Sequence, residues 1–531
     1  MYFAAGDGPF YFAETIRKLG WLPVLWRADE GFGANHGFRL WYDYALQLVS
    51  KILSSVGFSW WWIDKFLWGG AIAVALYASY ALGKYFIKKP YTYLVPVVYV
   101  ANTYFLLLFS GGQLGVAWGY ALFPLVLESF IENAGWTKRG LLLALLFLVD
   151  LRLAYLAAAA IIFWTLCFGR KKFSFLLPFL IAAGVNAFWI LPAALTGGAG
   201  AGLDNELTNP GMLRFLSFAD FPHALSLLHP NWPENLFGKI YFLQPEFLVL
   251  PIIAFASLLF IKKTSENGRK IIFFALLALI GVFFAKGVQE PFGGVYQWMF
   301  SHIPGFVMFR DPTKFYVYIA LGYSILIPFM LERINKKIVL GIFVVFWLFT
   351  IRAVFLGQVK GNLRPMQIPE EYVQLKNILV ADTAPSRTLW IPQREKFAYT
   401  SDIHPLLYAN QIFPGASVSA VITAAGTADF MTTLAAAGVR YVIVPQDIEQ
   451  RLFLNDYRFD GGQRRALIAA LSHTPLVRNS DFRNVAVFEN KNFTFVSENP
   501  ASLVRQQKLT DIGLVISGVF LIAALCKVFI W

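Results

Sequence analysis

Apolar and polar positions along this chain fall into long blocks rather than short alternations. Apolar blocks close to the 20 or so residues that a membrane-crossing helix needs lie at 66–86, 91–110, 114–132, 174–196, 246–261, 271–286, 314–331, 337–356 and 510–530. The run from Gly140 to Gly169 is longer, at 30 residues, and has basic residues beyond both ends. One helix cannot return to the side it left, so the pattern predicts two short legs turning near Asp150-Leu151-Arg152. With that hairpin counted as two, eleven membrane segments are expected.

Between the blocks, Lys84, Lys88 and Lys89, Lys138 and Arg139, Arg170 to Lys172, Lys262 to Lys270, and Arg333 to Lys337 form five basic clusters. Short cytoplasmic loops carry such an excess, so all five are placed inside. The same parity puts residues 1–65, 197–245, 287–313 and 357–509 outside, and Trp531 inside. Translocating residues 1–65, with Arg17, Lys18, Arg27 and Arg39, calls for a helix ahead of them. A first helix upstream of Met1 is therefore expected.

The outer segments differ in character. Residues 1–65 form a first outer loop rich in acids, Gly, Pro and aromatics. Residues 66–356 make the helical bundle, with outer loops 197–245 and 287–313. Phe215, Phe218, Phe221, Leu225 and Leu228 recur at helical spacing and predict one interfacial helix over 211–228. In the third loop Arg310-Asp311-Pro312-Thr313-Lys314 leads into the next span, with Pro312 suited to a first turn. Residues 357–509 read as a soluble α/β domain, with IPEEYVQLKNIL and 464–471 as helices and RTLWIP, VRYVIVP and VAVFEN as strands. Residues 510–531 supply a final membrane helix. Asn492-Phe493-Thr494 matches a glycosylation sequon.

Composition agrees with this layout. The 531 residues are 57% hydrophobic, 17% aromatic and only 15% charged, against about 25% charged in soluble domains. The formal charge of +13 is spread over loops that orient spans, which argues against nucleic acid as a partner. Cys167 and Cys526 both sit in apolar runs, which excludes a disulfide framework or a cysteine metal site.

Candidate chemistry concentrates in AGDGPFYFAETIRKLGWLPVLWRADEGFGANHGFRLWYDY, residues 5–44. A carboxylate on an outer loop can take a proton from an acceptor hydroxyl as that hydroxyl attacks an activated carbon. A lipid phosphate is a suitable leaving group, and helix-end cations would stabilise its charge. Asp7 is the leading candidate base, with Asp29 and Glu30 as further catalytic candidates. Arg310, Lys314, Arg39, Asp150, Arg152 and His223 are candidates for substrate binding. Each has a plainer alternative. Asp7 in Gly-Asp-Gly-Pro can be a turn residue, Arg310 and Lys314 can snorkel to headgroups, and Asp150 with Arg152 can be a structural pair. His36, His223 and His229 lack a His-x-x-x-His spacing, and Trp60 to Trp62 suit an interfacial belt.

The Gly-Asp motif in the first outer loop, many spans with short inner turns, Phe309-Arg310-Asp311-Pro312-Thr313-Lys314-Phe315 before a late span, and an outer α/β domain closed by one helix form a combination. In this layout the chain resembles the GT-C superfamily of membrane glycosyltransferases, and most closely its prokaryotic, arabinofuranosyltransferase-like branch. The resemblance implies a polytopic helical fold and an enzyme of a prokaryotic cytoplasmic membrane with its site on the extracytoplasmic face. It also implies a polyprenyl-phosphate sugar as donor and a glycan, lipid or protein hydroxyl as acceptor. The family's acid, which serves as base or metal ligand, matches Asp7. The second acid of the family's Asp-x-Asp is Pro9 here, so a divalent cation, Mg or Mn, is left open. The rival is a transporter or flippase of lipid-linked saccharides. That would place ionisable residues deep in several spans and repeat its halves, whereas few such residues and no repeat are visible.

Overall fold

In the computed structural model the described residues are all except 169–175, 197–209, 228–244, 262–265, 358, 360, 364, 393–395, 414–417, 447–460, 496–502 and 531. The residues assigned to the first loop form helix α1 (Ala13–Lys18), a short antiparallel hairpin of β1 (Trp26–Arg27) and β2 (Ala34–Asn35), and helix α2 (Leu40–Ser55). The bundle then begins with α3 (Trp60–Gly83), followed by α4 (Leu94–Val100), α5 (Thr103–Ser110), α6 (Leu114–Ile131), α7 (Trp136–Val149) and α8 (Leu151–Phe168). The first span starts at Trp60 rather than near 66. Trp60 is buried, while Trp61 and Trp62 stay exposed beside it.

Six helices among the described residues are long and apolar enough to cross a membrane: Trp60–Gly83, Leu114–Ile131, Leu151–Phe168, Glu266–Ala285, Pro312–Ile334 and Val504–Val528. The chain is an integral membrane protein. Counting each bent helix pair as one span raises the figure among the described residues to nine, or to eight without the sheet-packed pair set aside below, short of the eleven expected. Glu246–Phe260 is one apolar helix too short for the count, and two further features separate the structure from the expectation. The 14-residue helices Trp136–Val149 and Lys337–Thr350 reach only about 21 Å at 1.5 Å per residue. The predicted span 174–196 folds as Leu176–Val185 and Ala187–Leu195, set at 88°. At that corner Asn186 donates its side-chain amide to Ala144 O at 3.1 Å and Ala182 O at 2.9 Å, while its own N–H keeps the backbone bond to Ala182 O at 3.2 Å, so the side chain ties the corner to α7. Asn102 has a similar place at the 43° bend between α4 and α5, capping Phe105 N at 3.0 Å. The pair Val418–Ala425 and Asp429–Ala436 also passes on apolarity. We exclude it as a span, because both eight-residue helices pack their apolar faces onto a β-sheet.

The long apolar run breaks at Asp150. That residue leaves the helical region, with φ −156° and ψ 109°, and its carboxylate caps α8 at Leu153 N, 3.0 Å away. The second leg is a full 18-residue helix rather than a short one. The predicted helix 211–228 is instead two short helices, Pro210–Leu216 and Phe221–Leu225. Asp220 ends the gap between them by capping His223 N, with Pro222 in the first turn. His229 and the Gly/Ala stretch of that loop lie outside the described residues.

Residues 387–489 carry a five-stranded mixed sheet of order β4-β3-β5-β7-β6, comprising β3 (Arg387–Trp390), β4 (Leu406–Tyr408), β5 (Val439–Val444), β6 (Val477–Arg478) and β7 (Ala486–Glu489). β3 runs parallel to β4 and β5, and β7 antiparallel to β5 and β6. β5 is buried on both faces, as its near-continuous apolar sequence requires. One face is covered by Val418–Ala425, Asp429–Ala436 and Gly461–Ser472. The other packs against Glu370–Ala381 and, unexpectedly, against Ala4 and Phe12 from the start of the chain. Tyr2 pairs with Met366 and Glu30 with Leu406 as isolated β-bridges. The first outer loop is therefore built onto this sheet rather than standing free.

Candidate functional site

Asp7 sits in a turn, Ala5-Gly6-Asp7-Gly8, closed by Gly8 N donating to Ala5 O at 2.9 Å. The turn rests on the α5–α6 connection, where Asp7 N donates to Gly111 O at 2.9 Å. Two glycines make that approach. Gly6 has φ +53°, and a Cβ there would lie 2.2 Å from Gly111 O. Gly112 has φ +72°, and a Cβ there would lie 2.1 Å from Ala5 O. Asn362 ties the same region from the far side, accepting from Ala5 N at 2.8 Å and donating to Phe109 O at 3.0 Å.

The Asp7 side chain is solvent-accessible by surface area, yet protein surrounds it closely enough that desolvation raises its pKa above the usual carboxylate value. The two observations together describe a carboxylate at the floor of an open recess. Lys396, Lys314 and Arg152 oppose the upward shift, in that order of strength, and Asp311 adds to it. A carboxylate whose pKa is raised is a stronger base once ionised.

Around it stand cations in two states. Lys314 is buried and paired with Asp311 at 2.7 Å, with Gln113 Oε1 accepting a second bond at 3.2 Å. Arg152 is held by Asp150 in a fork at 2.6 and 3.2 Å, and Asp150 is fully buried. Arg310 and Arg39 differ, since neither has a carboxylate within ion-pair distance among the described residues. Burial, followed by the nearby charges of Arg152 and Arg39, lowers the Arg310 pKa. Arg152 and Asp311 act on both Asp7 and Arg310, and Arg39 acts on Arg310, so Arg152 and Asp311 link the acid to the two guanidiniums. A positively charged recess with two guanidiniums lacking an anion is suited to a phosphate.

Three of the sequence candidates lie elsewhere. Asp29 is clamped by Arg27 at 2.7 Å through both oxygens and is buried. Glu30 accepts from His36 at 3.0 Å, and Asp43 takes the other ring nitrogen at 3.2 Å. These ion pairs stitch the β1–β2 hairpin to α2, and neither acid is among the groups acting on Asp7. His223 pairs with its own cap Asp220 and belongs to the Phe221–Leu225 helix. Among the described residues no group of three or more His, Cys, Asp or Glu side chains could hold a metal ion. Asp150 and Asp311 are committed to Arg152 and Lys314.

Sequence reasoning missed Lys396, Gln113 and the Gly111-Gly112 platform. Gly-Gly-Gln between two apolar runs signals a tight connection, but nothing local pairs it with Gly6 or Lys314. A cleft of about 430 Å³ on the α/β domain is lined by Glu370, Glu371, Gln374, Asp481, Arg483 and Asn484 and lies away from Asp7. Glu371 spends its oxygens there on the backbone N–H groups of Arg483, Asn484 and Val485, which makes it a clasp for that loop.

The helical bundle, the residues before it and the sheet domain together share their fold with solved structures of the arabinofuranosyltransferase AftD from mycobacteria. One cryo-EM structure superposes with a TM-score of 0.62 at 14% identity, over 92% of this chain and 38% of that one. A mutant of the same enzyme gives 0.63 at 13%, over 91% and 39%. This chain thus spans about two fifths of that enzyme's length, and the likeness establishes the fold. No family model matches the chain, and no curated protein matches it in sequence.

Proposed function

We propose that this protein is a membrane glycosyltransferase that moves a sugar from a polyprenyl-phosphate donor to an acceptor hydroxyl on the extracytoplasmic face. The observation that carries this reading is Asp7, its pKa raised by burial, among Lys396, Lys314 and Arg152, with Arg152 also acting on an Arg310 that has no carboxylate within ion-pair distance among the described residues, in a fold shared with an arabinofuranosyltransferase.

Asp7 takes the acceptor proton while the acceptor oxygen bonds to the anomeric carbon. The bond from that carbon to the phosphate oxygen breaks, and the phosphate leaves carrying one more negative charge. Arg39 and Arg310 receive that charge, with Arg152 and Lys314 behind them, each already balanced by a carboxylate. Cations fixed where charge develops stabilise the transition state without reorganising. Asp29 and Glu30 brace the loop, and the α/β domain contributes to acceptor recognition. The transporter reading finds less support. The ionisable residues that interrupt the long apolar run, Asp150 and Arg152, pair with each other.

The test is turnover of purified protein in nanodiscs with a panel of polyprenyl-phosphate pentoses and hexoses and simple alkyl glycoside acceptors. Wild type should transfer at least one sugar. Asp7→Asn should bind the same donor and lose roughly 10²–10⁴-fold in rate, the usual contribution of a positioned base. Undiminished transfer by Asp7→Asn would remove Asp7 from the mechanism.

A further inference from the structure

The turn carrying Asp7 has a support that comes from neither the bundle nor the first outer loop. Lys396 lies in the α/β domain, six residues after the end of β3. Its ammonium donates to Gly6 O at 2.7 Å and to Gly8 O at 2.8 Å, the carbonyls on either side of Asp7. The residues that follow continue the contact. Phe397 meets Phe10 edge to face at 4.9 Å, and Tyr399 meets Phe12 at 6.2 Å. Thr400 donates to Asp29 O, and Gly31 N donates to Leu406 O at 2.7 Å. One ordered strip of the domain, 396–406, thus runs along the first outer loop and ends on the acid.

We propose that Lys396 is a positioning residue for the Asp7 base, so that the α/β domain is a working part of the catalytic site as well as a binding platform. The proposal rests on the assignment of Asp7 above. Two carbonyls held by one ammonium fix both peptide planes of the turn, and with them the direction in which the carboxylate points. A side chain that must sit within about 1 Å of its productive place loses rate steeply when its support is removed. The ammonium is also the foremost of the charges that hold the Asp7 pKa down against burial. Removing it should therefore loosen the turn and make the acid harder to ionise. Stability should change little, because the bond to Gly6 O is exposed and water can replace it.

Lys396→Met and Lys396→Arg separate these effects. In hydrogen–deuterium exchange on the whole protein in nanodiscs, Lys396→Met should speed uptake in the peptide covering 3–12 and leave the Tyr316–Ile334 helix unchanged. Lys396→Arg should keep the wild-type uptake. With the donor panel, Lys396→Met should lower kcat/KM by about tenfold or more at neutral pH and move the acidic limb of the pH–rate profile upward, while Lys396→Arg restores both. Wild-type uptake over 3–12 together with an unmoved acidic limb in Lys396→Met overturns the proposal. If Asp7→Asn retains turnover, the base assignment fails instead. The exchange result still decides whether Lys396 holds the turn.

Discussion

The ring of His36 bridges Glu30 and Asp43, and its titration gives a magnitude that can be worked through. Burial alone would lower its pKa, but the hydrogen bonds to Asp43 and Glu30 and their charges outweigh burial and raise it to about 9 from 6.5. The side chain is only 10% exposed, so solvent screening takes little away. A group raised in the folded state contributes stability that is complete below pH 6.5 and is lost as pH climbs through 9. The 2.5-unit difference corresponds to roughly 300-fold in the opening equilibrium of the hairpin, on the order of 3 kcal/mol. The reporter is the backbone amide of His36 itself, which donates to Leu25 O at 2.7 Å. Its exchange protection, corrected for the base-catalysed intrinsic rate, should fall roughly 300-fold between pH 6 and pH 10. His36→Gln should show weaker protection and a flat profile. A corrected change of under about tenfold in the wild-type protein would mean that opening does not release His36 from its two acids.

Other expectations follow from the same geometry. Because burial holds the Asp7 pKa up, ionised Asp7 costs stability, so Asp7→Asn should melt above wild type. The gap should vanish at low pH and widen as pH rises through the folded pKa, and a lower melting point at pH 8 would contradict this. Asp311→Asn strands the buried Lys314 ammonium and should cost about 3–5 kcal/mol in denaturant titration. Gly112→Ala would drive a Cβ to 2.1 Å from Ala5 O. It should dislodge the Asp7 turn and reduce transfer on the order of 100-fold while leaving the far helices' exchange unchanged.

The parts of this fold that were legible in the sequence are those governed by local composition. Apolar blocks located the helices, the ionic residues of Asp150-Leu151-Arg152 marked the break between α7 and α8, and short apolar runs marked β3, β5 and β7. Bends were not legible. Asn102 and Asn186 each read as one polar residue in an apolar run, and only tertiary partners such as Ala144 O show that the Asn186 amide ties a bend to a neighbouring helix. At the site, Gly-Asp-Gly-Pro drew attention to Asp7, and Arg310 to Lys314 supplied the nearby charge. The acids at 29 and 30 looked equally eligible, because a sequence cannot show that Arg27 and His36 already occupy them. Lys396 left no signal. It is 389 residues from Asp7, and an isolated lysine in a polar loop has no spacing to betray a partner.

The β-bridge between Tyr2 and Met366 and the grip of Lys396 on Gly6 set an order of events during synthesis. The fastening of the turn emerges 390 residues after the turn itself, a delay of roughly 20–80 s at 5–20 residues per second. Through that interval helices can enter the bilayer one after another while the acid has no fixed address. Assembly of the site is therefore a post-insertion event. A chain stalled anywhere before the sheet domain would occupy the membrane as a bundle without an aligned Asp7, so the architecture withholds the proposed activity until Lys396 has been made.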